Sequence, residues 1–121
     1  MADEITITAS LAVKNGVVDE VLARVASQFD QTGTECAKFQ QSIGTTEEAI
    51  NLGVDIGTLG YILAINLDPT NFVSLRRATG EGNFIRLEAN GGMALFKCSA
   101  TAPFAIADTA ACRVQFLILE T

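Results

Sequence analysis

The stretch LGYILAINLDPTNFVSL, residues Leu59 to Leu75, decides the fold class of this chain. It contains two apolar, strand-like runs separated by the tetrapeptide DPTN, Asp68 to Asn71. Asp68 can accept a hydrogen bond from the backbone two residues on, Pro69 fixes its own φ, and Asn71 tolerates a left-handed conformation. The stretch therefore predicts a β-hairpin at the centre of a sheet.

Both faces of the first of these two strands are apolar or small. Successive residues of a strand point to opposite sides of the sheet, so the two faces can be read separately. One face has Tyr61, Leu63, Ile65 and Leu67, and the other has Gly60, Ile62, Ala64 and Asn66. This pattern is typical of a strand in a sheet that is covered on both sides.

Further strand-like segments are bounded by turn residues along the chain. Residues Glu4 to Lys14 alternate between apolar and polar, which predicts a half-buried strand, and Asn15-Gly16 predicts a type I′ turn after it. Phe84 to Ala89 and Met93 to Ser99 are also predicted strands. The sequence Asn90-Gly91-Gly92 between them predicts a tight hairpin.

Three other segments are less clearly defined by their local pattern. Val17 to Asp30 fits helical spacing and strand spacing equally well, and the alternative stays open. Glu48 to Leu52 fits a short strand, but Thr45 with Glu48 also resembles the start of a helix. Within Ala100 to Ala111, Pro103 indicates a sheet edge or a bend because proline has no backbone donor.

The last predicted strand, Cys112 to Glu120, is again apolar on both faces. The residues predicted to face the core are Cys112, Val114, Phe116 and Ile118. Leu117 and Leu119 fall on the face that is expected to be polar, so we predict that they are buried against a partner. Arg76 and Arg77, an adjacent basic pair, are further partner-binding candidates because guanidinium groups bind carboxylates in a bidentate manner. The alternative is that they belong to an exposed loop without a binding role.

About eight to ten short antiparallel strands with turn signals every ten or so residues predict an all-β fold. We expect a single-domain β-sandwich or jelly roll that spans residues 1–121. A chain of 121 residues is long enough for one core, since a domain of this size buries roughly two-thirds of its unfolded surface. Hydrophobic residues make up 49% of the chain and charged residues 18%, which is typical of a compact domain.

The net charge and the N-terminal sequence argue against nucleic-acid-binding and membrane-spanning classes of protein. The charge of −6 arises from fourteen acidic and eight basic residues without a basic cluster, so no nucleic-acid-binding surface is expected. The chain begins MADEITIT, with no basic segment followed by an apolar one, and contains no run of about eighteen apolar residues. We therefore expect a protein without a membrane span that is made in a reducing cytoplasm.

The composition also excludes much catalytic chemistry. The chain has no histidine, which removes the commonest general base and metal ligand and excludes hydrolases of the Ser-His-Asp or Cys-His type. Cys36, Cys98 and Cys112 lack the spacing of a zinc site, and we interpret them as reduced, buried, small apolar side chains. No catalytic residue, no metal site and no cofactor are predicted, and we expect that the protein is not an enzyme.

Four segments carry a resemblance to a known family. They are IGTTEEAI (Ile43 to Ile50), GY followed by NLDPTNFV (Gly60 to Val73), FIRLEANGGMALF (Phe84 to Phe96) and ADTAACRVQFLILE (Ala107 to Glu120). With these segments the chain resembles small virion structural proteins of tailed bacteriophages. The resemblance covers most of the chain, and its motifs are structural and indicate no active site. It implies a β-sandwich or jelly roll and favours an extended conformation for Val17 to Asp30.

The resemblance also implies a function. Jelly rolls of this size commonly serve as capsid cement or decoration proteins, so we expect a homo-oligomer that binds and stabilises the assembled lattice of the major capsid protein. Such a protein is made in the host bacterial cytoplasm and is located on the capsid surface of the virion. The alternative is a component of the tail, neck or fibre. A small carbohydrate-binding sandwich is a third hypothesis, which the absence of tryptophan and the single tyrosine disfavour.

Overall fold

The computed structural model describes residues 3–52 and 56–120, and every regular element in this part of the chain is a β-strand. In chain order the strands are β1 (Ile5–Asn15), β2 (Val18–Phe29), β3 (Cys36–Ile43), β4 (Glu48–Ala49), β5 (Leu59–Asn66), β6 (Val73–Arg76), β7 (Ile85–Leu87), β8 (Met93–Lys97), β9 (Phe104–Ala107) and β10 (Cys112–Glu120). The chain divides into two compact units, Met1–Thr32 and Gly33–Thr121. The first contains β1 and β2, and the second contains the other strands.

The second unit is a β-sandwich of two four-stranded antiparallel sheets. Their strand orders are β3-β10-β5-β8 and β4-β9-β6-β7. Sequential strands alternate between the sheets except at β6 and β7, and the first and last strands of the unit, β3 and β10, pair with each other. This is the connectivity of an eight-stranded jelly roll. The prediction of an all-β sandwich or jelly roll is confirmed.

The core lies between the two sheets of the sandwich. Its fully buried side chains with the largest volumes are Phe116, Ile43, Ile62, Leu87, Ile118, Val73 and Val114. The residues of β10 that were predicted to face the core are all buried. Phe116 stacks on Phe39 of the neighbouring strand, with 5.4 Å between the ring centroids. Because burial of a large apolar side chain contributes about 1.5–3 kcal/mol, these inner faces supply most of the stabilisation of the sandwich.

The stretch Leu59 to Leu75 does not form a hairpin, so that prediction was wrong. Its two strands, β5 and β6, belong to different sheets, and the segment between them is a corner that connects one sheet to the other. The turn chemistry is present, since the Asp68 carboxylate accepts hydrogen bonds from the backbone N–H groups of Thr70 (3.0 Å) and Asn71 (2.7 Å). Those bonds turn the chain locally and do not determine which sheet the next strand joins.

The Asn90-Gly91-Gly92 segment was also wrongly predicted to be the tip of a hairpin. Asn90 and Gly91 have φ values of 63° and 92°, as a tight turn requires, but β7 and β8 lie in different sheets. The N–H of Asn90 donates to the carbonyl of Asp68, and the N–H of Gly91 donates to the carbonyl of Asn66, both at 2.8 Å. The turn is therefore a second corner that is hydrogen-bonded to the first.

The segments with open alternatives are extended. Val17 to Asp30 contains strand β2, as the resemblance implies, and Glu48 to Leu52 contains the two-residue strand β4. No helix starts at Thr45, because the Glu48 carboxylate instead accepts hydrogen bonds from the N–H of Gly44 (2.9 Å) and from the side chain of Gln41 (3.2 Å).

The first unit is a long two-stranded ribbon, called the N-terminal hairpin below. β1 pairs with β2 from Ile5 opposite Phe29 to Asn15 opposite Val18. The loop therefore consists of Gly16 and Val17, one residue later than predicted. Gly16 has a φ of 61° while Asn15 and Val17 do not have positive φ values. A single φ>0 position filled by glycine is the requirement of a type II′ turn.

The side chains of the N-terminal hairpin are largely exposed, so the prediction that its first strand is half-buried was wrong. Leu11 is 75% exposed and Leu22 is 79% exposed, although they lie opposite each other in the middle of the ribbon. Alternation indicates which residues share a face, but it does not indicate whether another layer covers that face. The hairpin thus presents apolar residues to solvent on a two-stranded sheet, an element that is marginally stable by itself.

Candidate functional site

The most prominent candidate surface is one side of the sheet β3-β10-β5-β8. Residues on this side alternate along each strand with the buried residues of the core, and we call it the outer face. Two cross-strand rows form its centre: Lys38, Leu117, Leu63 and Leu95 in one row, and Gln40, Gln115, Ile65 and Met93 in the next. Since directly opposite residues of neighbouring strands touch, the aliphatic members of these rows form a continuous apolar patch.

The outer face is open to solvent. Leu63, Ile65 and Leu117 are partly exposed, Leu95 is 39% exposed and Met93 is 63% exposed. A shallow depression of about 230 Å³ lies among these rows and is lined by Lys38, Leu63, Ile65, Gln115, Phe116 and Leu117. A contiguous apolar surface of this kind on a small protein usually marks an interaction site.

The charges around the apolar patch have one sign. Lys38 on β3, Lys97 on β8 and Arg113 on β10 point to the outer face, and Lys97 lies 5.9 Å from the centroid of the Tyr61 ring. Glu120 is the single carboxylate-bearing residue in these four strands. Its carboxylate accepts hydrogen bonds from the backbone N–H groups of Thr34 and Gly57. The outer face is therefore apolar at its centre and positive at its margin, although the whole chain carries a charge of −6.

Two of the four predicted partner-binding residues lie on this surface. Leu117 is central to it, and Leu119 lies on the same side of β10, opposite Cys36 of β3. Both are partly exposed. The prediction did not include Leu63, Ile65, Met93 or Leu95 as contact residues. The apolar pattern of β5 contained the signal for the first two, and it was interpreted as that of a strand in a sheet that is covered on both sides.

The structure places Arg76 and Arg77 on the other sheet, so they do not join the outer face. Arg76 at the end of β6 forms an ion pair of 3.1 Å with Glu47, and the two side chains are 20% and 16% exposed. Arg76 also donates to the side chain of Asn83 at 2.6 Å. Arg77 forms an exposed ion pair of 2.9 Å with Glu81. Arg76 is therefore engaged within the chain, whereas Arg77 keeps more of its surface in solvent.

Glu47 organises the loop beside Arg76. Its carboxylate accepts hydrogen bonds from the N–H of Gly80 at 2.8 and 3.0 Å. These backbone bonds are the main reason that the pKa of Glu47 lies below its ordinary value, and the Thr79 hydroxyl and the Arg76 guanidinium lower the pKa further. The arrangement fixes the loop that follows β6 and supplies no unpaired group for catalysis.

A second concavity, of about 250 Å³, lies where β6, β7 and the end of β8 meet. Its apolar lining includes Leu75, Ile85, Phe96 and the exposed Phe84, and its charged residues are Arg76, Arg77 and Lys97. The described residues that line it include no acidic side chain, and Arg76 and Arg77 pair with Glu47 and Glu81, which lie outside the lining. The concavity has the character of a surface groove and does not bring together the groups of an active site.

The cysteines differ in their surroundings. Cys112 is buried, which confirms its prediction, and burial is the main cause of its raised pKa, with Asp68 and Asp108 adding to it. Cys98 is partly buried against the core, whereas Cys36 is exposed, so the prediction of burial was wrong for Cys36. Cys36 lies at the end of an edge strand, where one side of the chain has no covering strand.

Within residues 3–52 and 56–120, no three Cys, Asp or Glu side chains come together in a way that could hold a metal ion. The same residues form no helix that is long and apolar enough to cross a membrane. Comparisons of the chain with protein-family models, with curated proteins and with solved structures find no match. The sandwich is thus a jelly roll whose outer face is apolar at its centre and open to solvent.

Proposed function

We propose that this chain is a structural component of a bacteriophage virion, a capsid cement or decoration protein without catalytic activity. In this proposal it associates with copies of itself and binds the assembled lattice of the major capsid protein on the capsid surface. It is made in the cytoplasm of the host bacterium. The observation that carries the proposal is the apolar surface that the free chain leaves open to solvent on its outer face.

The amount and arrangement of this surface support a role in an assembly. A soluble monomer rarely exposes large contiguous apolar patches, whereas subunits of permanent assemblies bury such patches against each other. Here aliphatic residues from β5, β8 and β10 are continuous across three neighbouring strands. The jelly roll and the four segments that resemble phage virion proteins support the particular assembly that we propose.

Stabilisation of a capsid requires only binding chemistry. A protein that binds the assembled lattice and has no affinity for free subunits lowers the free energy of the assembled state by mass action. Each copy adds its binding free energy at the boundary between capsid subunits, so many copies raise the resistance of the shell to heat and internal pressure. No titrating residue, metal or cofactor takes part in this mechanism.

Heat inactivation of virions tests the proposal. Virions of a phage that encodes this chain are compared with virions from which its gene has been deleted. We expect the deletion particles to release DNA at a lower temperature, and we expect purified protein to restore the original temperature when it is added back. Equal inactivation of both particles, or absence of the chain from purified virions, would contradict the proposal. Antibody labelling at the tail would instead support a tail, neck or fibre component.

A further inference from the structure

The N-terminal hairpin has one apolar side. Directly opposite residues of an antiparallel pair lie on the same side, so the register assigns the two faces. The apolar face is formed by Ala9, Leu11, Val13, Val18 and Leu22, with Glu20 and Arg24 among them. The other face is more polar: it carries Thr6, Ser10, Lys14, Asp19 and Gln28, together with Ala12, Val21 and Ala23. An apolar face of a sheet normally packs against a second layer.

Each of the two units, taken by itself, therefore has an apolar β surface that its own strands do not cover. On the hairpin, Leu11 and Leu22 are 75% and 79% exposed, and Val13 and Val18 are 47% and 46% exposed. On the sandwich, the outer face exposes the patch centred on Leu63 and Leu117. Two sheet faces that pack on each other lie about 10 Å apart and exclude water between their side chains.

We infer that the apolar face of the N-terminal hairpin packs on the outer face of the sandwich in a second copy of this chain. This contact covers both apolar surfaces with one interaction. In the assembly proposed above, this contact holds the copies together. The inference rests on that proposed function for its biological purpose.

Charge complementarity favours the hairpin of a second copy as the partner of the outer face. Between residues 3 and 32 the chain has five acidic and two basic side chains. Glu20 and Arg24 lie on the apolar face, Asp19 lies opposite Lys14 on the other face, and the excess of acidic residues belongs to the hairpin unit as a whole. The outer face has cations at its margin, Lys38, Lys97 and Arg113, and no carboxylate among its strand residues. A negative hairpin on a positive margin gains attraction, whereas two outer faces that pack on each other would bring like charges together.

The area of the contact favours reciprocal exchange. The hairpin is about 10 Å wide, and a strand of eight residues is about 26 Å long. A hairpin that lies along such a strand therefore covers roughly 260 Å² on each of the two contacting surfaces. One such contact buries on the order of 500 Å² in total, within the range of crystal-packing contacts, whereas two reach the order of 1,000 Å² that stable interfaces require. A two-fold dimer that exchanges both hairpins, or a closed ring, provides two contacts for each copy.

The depression in the outer face supplies a place for an anchoring side chain. It lies between Lys38, Leu63 and Leu117 and has a volume of about 230 Å³. Interfaces are commonly dominated by a few large apolar residues that fill such pockets on the partner. Leu11 and Leu22 form a protruding apolar pair on the hairpin and are the anchors that this contact uses.

Sedimentation of matched variants tests the contact. Leu11→Lys with Leu22→Lys replaces the apolar pair, and Ser10→Lys with Ala23→Lys adds the same charge to the adjacent pair on the polar face. We expect wild type and the polar-face variant to form the same closed oligomer, and we expect the apolar-face variant to associate at least about 100-fold more weakly. A monomeric wild type, or equal association of both variants, would overturn the inference.

Mixing experiments identify the surface that receives the hairpin. Leu63→Lys with Leu117→Lys alters the outer face, and circular dichroism and thermal unfolding confirm that this variant folds. We expect it to be monomeric alone and to form a weak heterodimer with the hairpin variant at high protein concentration, because the mixture restores one intact hairpin and one intact outer face and therefore one of the two contacts. Failure of the two folded variants to associate would overturn the inference in favour of hairpin-to-hairpin contact. A monomeric wild type that still decorates capsids would refute this inference and leave the proposed function standing.

Discussion

Asn66 is the buried polar side chain that connects the two corners of the sandwich. Its amide nitrogen donates to the carbonyls of Asn71 (2.9 Å) and Leu87 (3.1 Å), and its side-chain oxygen accepts from the N–H of Asp68 (2.9 Å). Among the described residues, no buried side-chain nitrogen or oxygen lacks a partner. The free energy cost of placing this amide in the core is thus offset by a complete set of hydrogen bonds.

Replacement of Asn66 therefore has a large expected effect. Asn66→Ala leaves buried carbonyl and N–H groups without partners, and each unsatisfied buried group costs about 1–3 kcal/mol. We expect the free energy of unfolding, measured with urea, to fall by at least about 2 kcal/mol. Gln115→Ala on the outer face is the control and should change it by less than about 0.5 kcal/mol. A similar small change for both variants would contradict this role for Asn66.

Glu120 plays a comparable part near the end of the last strand. Its carboxylate accepts hydrogen bonds from the N–H groups of Gly57 (2.9 Å), Thr34 (3.1 Å) and Glu35 (3.3 Å). The bond from Gly57 is the largest of the three effects that lower the pKa of Glu120. An added Cβ at Gly33 would overlap the Glu120 carboxylate, so a larger residue at that position would displace this side chain from its hydrogen bonds.

Glu120→Gln tests this arrangement through its pH dependence. Because the pKa of Glu120 is lower in the folded chain, ionisation stabilises the fold above the unfolded value of 4.5, and this contribution disappears as pH falls through the folded-state pKa. We expect the variant to melt at a lower temperature than wild type at neutral pH and at the same temperature near about pH 2. Glu88→Gln, in an exposed ion pair with Arg86, is the control. An equal difference at both pH values would contradict the assignment.

At the scale of single elements, the strands were more predictable than their partners. Alternation located β1, β5 and β10 because side-chain direction is a local property of an extended backbone. The partners of β5 were mispredicted because Asp68 to Asn71 determine only how the chain turns, whereas the choice of sheet depends on Asn66 and on its contact with Leu87, 21 residues away.

The candidate site was predictable to the same extent. Leu117 and Leu119 were identified because an apolar residue on the exposed side of a strand is visible in the sequence. The ion pair of Arg76 was not predicted, since its partner, Glu47, is 29 residues away in the sequence. The exposure of Leu11 and Leu22 had no sequence signal, because the pattern of a strand does not report the layers around it.

The N-terminal hairpin provides a test at the scale of an element. A two-stranded ribbon without a covering layer is marginally stable, so its backbone amides should exchange rapidly with solvent. In the monomeric Leu11→Lys and Leu22→Lys variant we expect little protection of the β1 and β2 amides and full protection of the β5 and β10 amides. In oligomeric wild type, hydrogen exchange should show protection of β1 and β2 as well. Equal protection of the hairpin in both proteins would contradict the proposed contact.

At the scale of the whole molecule, titration should have little effect around neutral pH. The chain has no histidine, and the pKa values of Glu47, Asp68 and Glu120 are all lowered by backbone hydrogen bonds. The contributions of these carboxylates to stability are present above about pH 5 and are lost in acid. The pKa of Cys112 is raised above 9.0, so its contribution is present below about pH 9 and is lost in alkali.

We therefore expect a plateau in stability between about pH 6 and pH 8. Urea unfolding across the pH range measures it, and both acid and alkali should lower the midpoint. A steep change centred between about pH 6 and pH 7 would contradict this expectation. The experiment uses the dilute monomeric hairpin variant, so that dissociation of an oligomer does not contribute.

The central claim is that this jelly roll is a lattice-binding component of a capsid. Electron cryomicroscopy of virions, with and without the gene for this chain, tests it most directly. We expect a difference map with density of the size of the sandwich at regularly repeated positions on the capsid surface, and with copies in contact through their hairpins. A difference map without density on the capsid, or with density confined to the tail, would contradict the account.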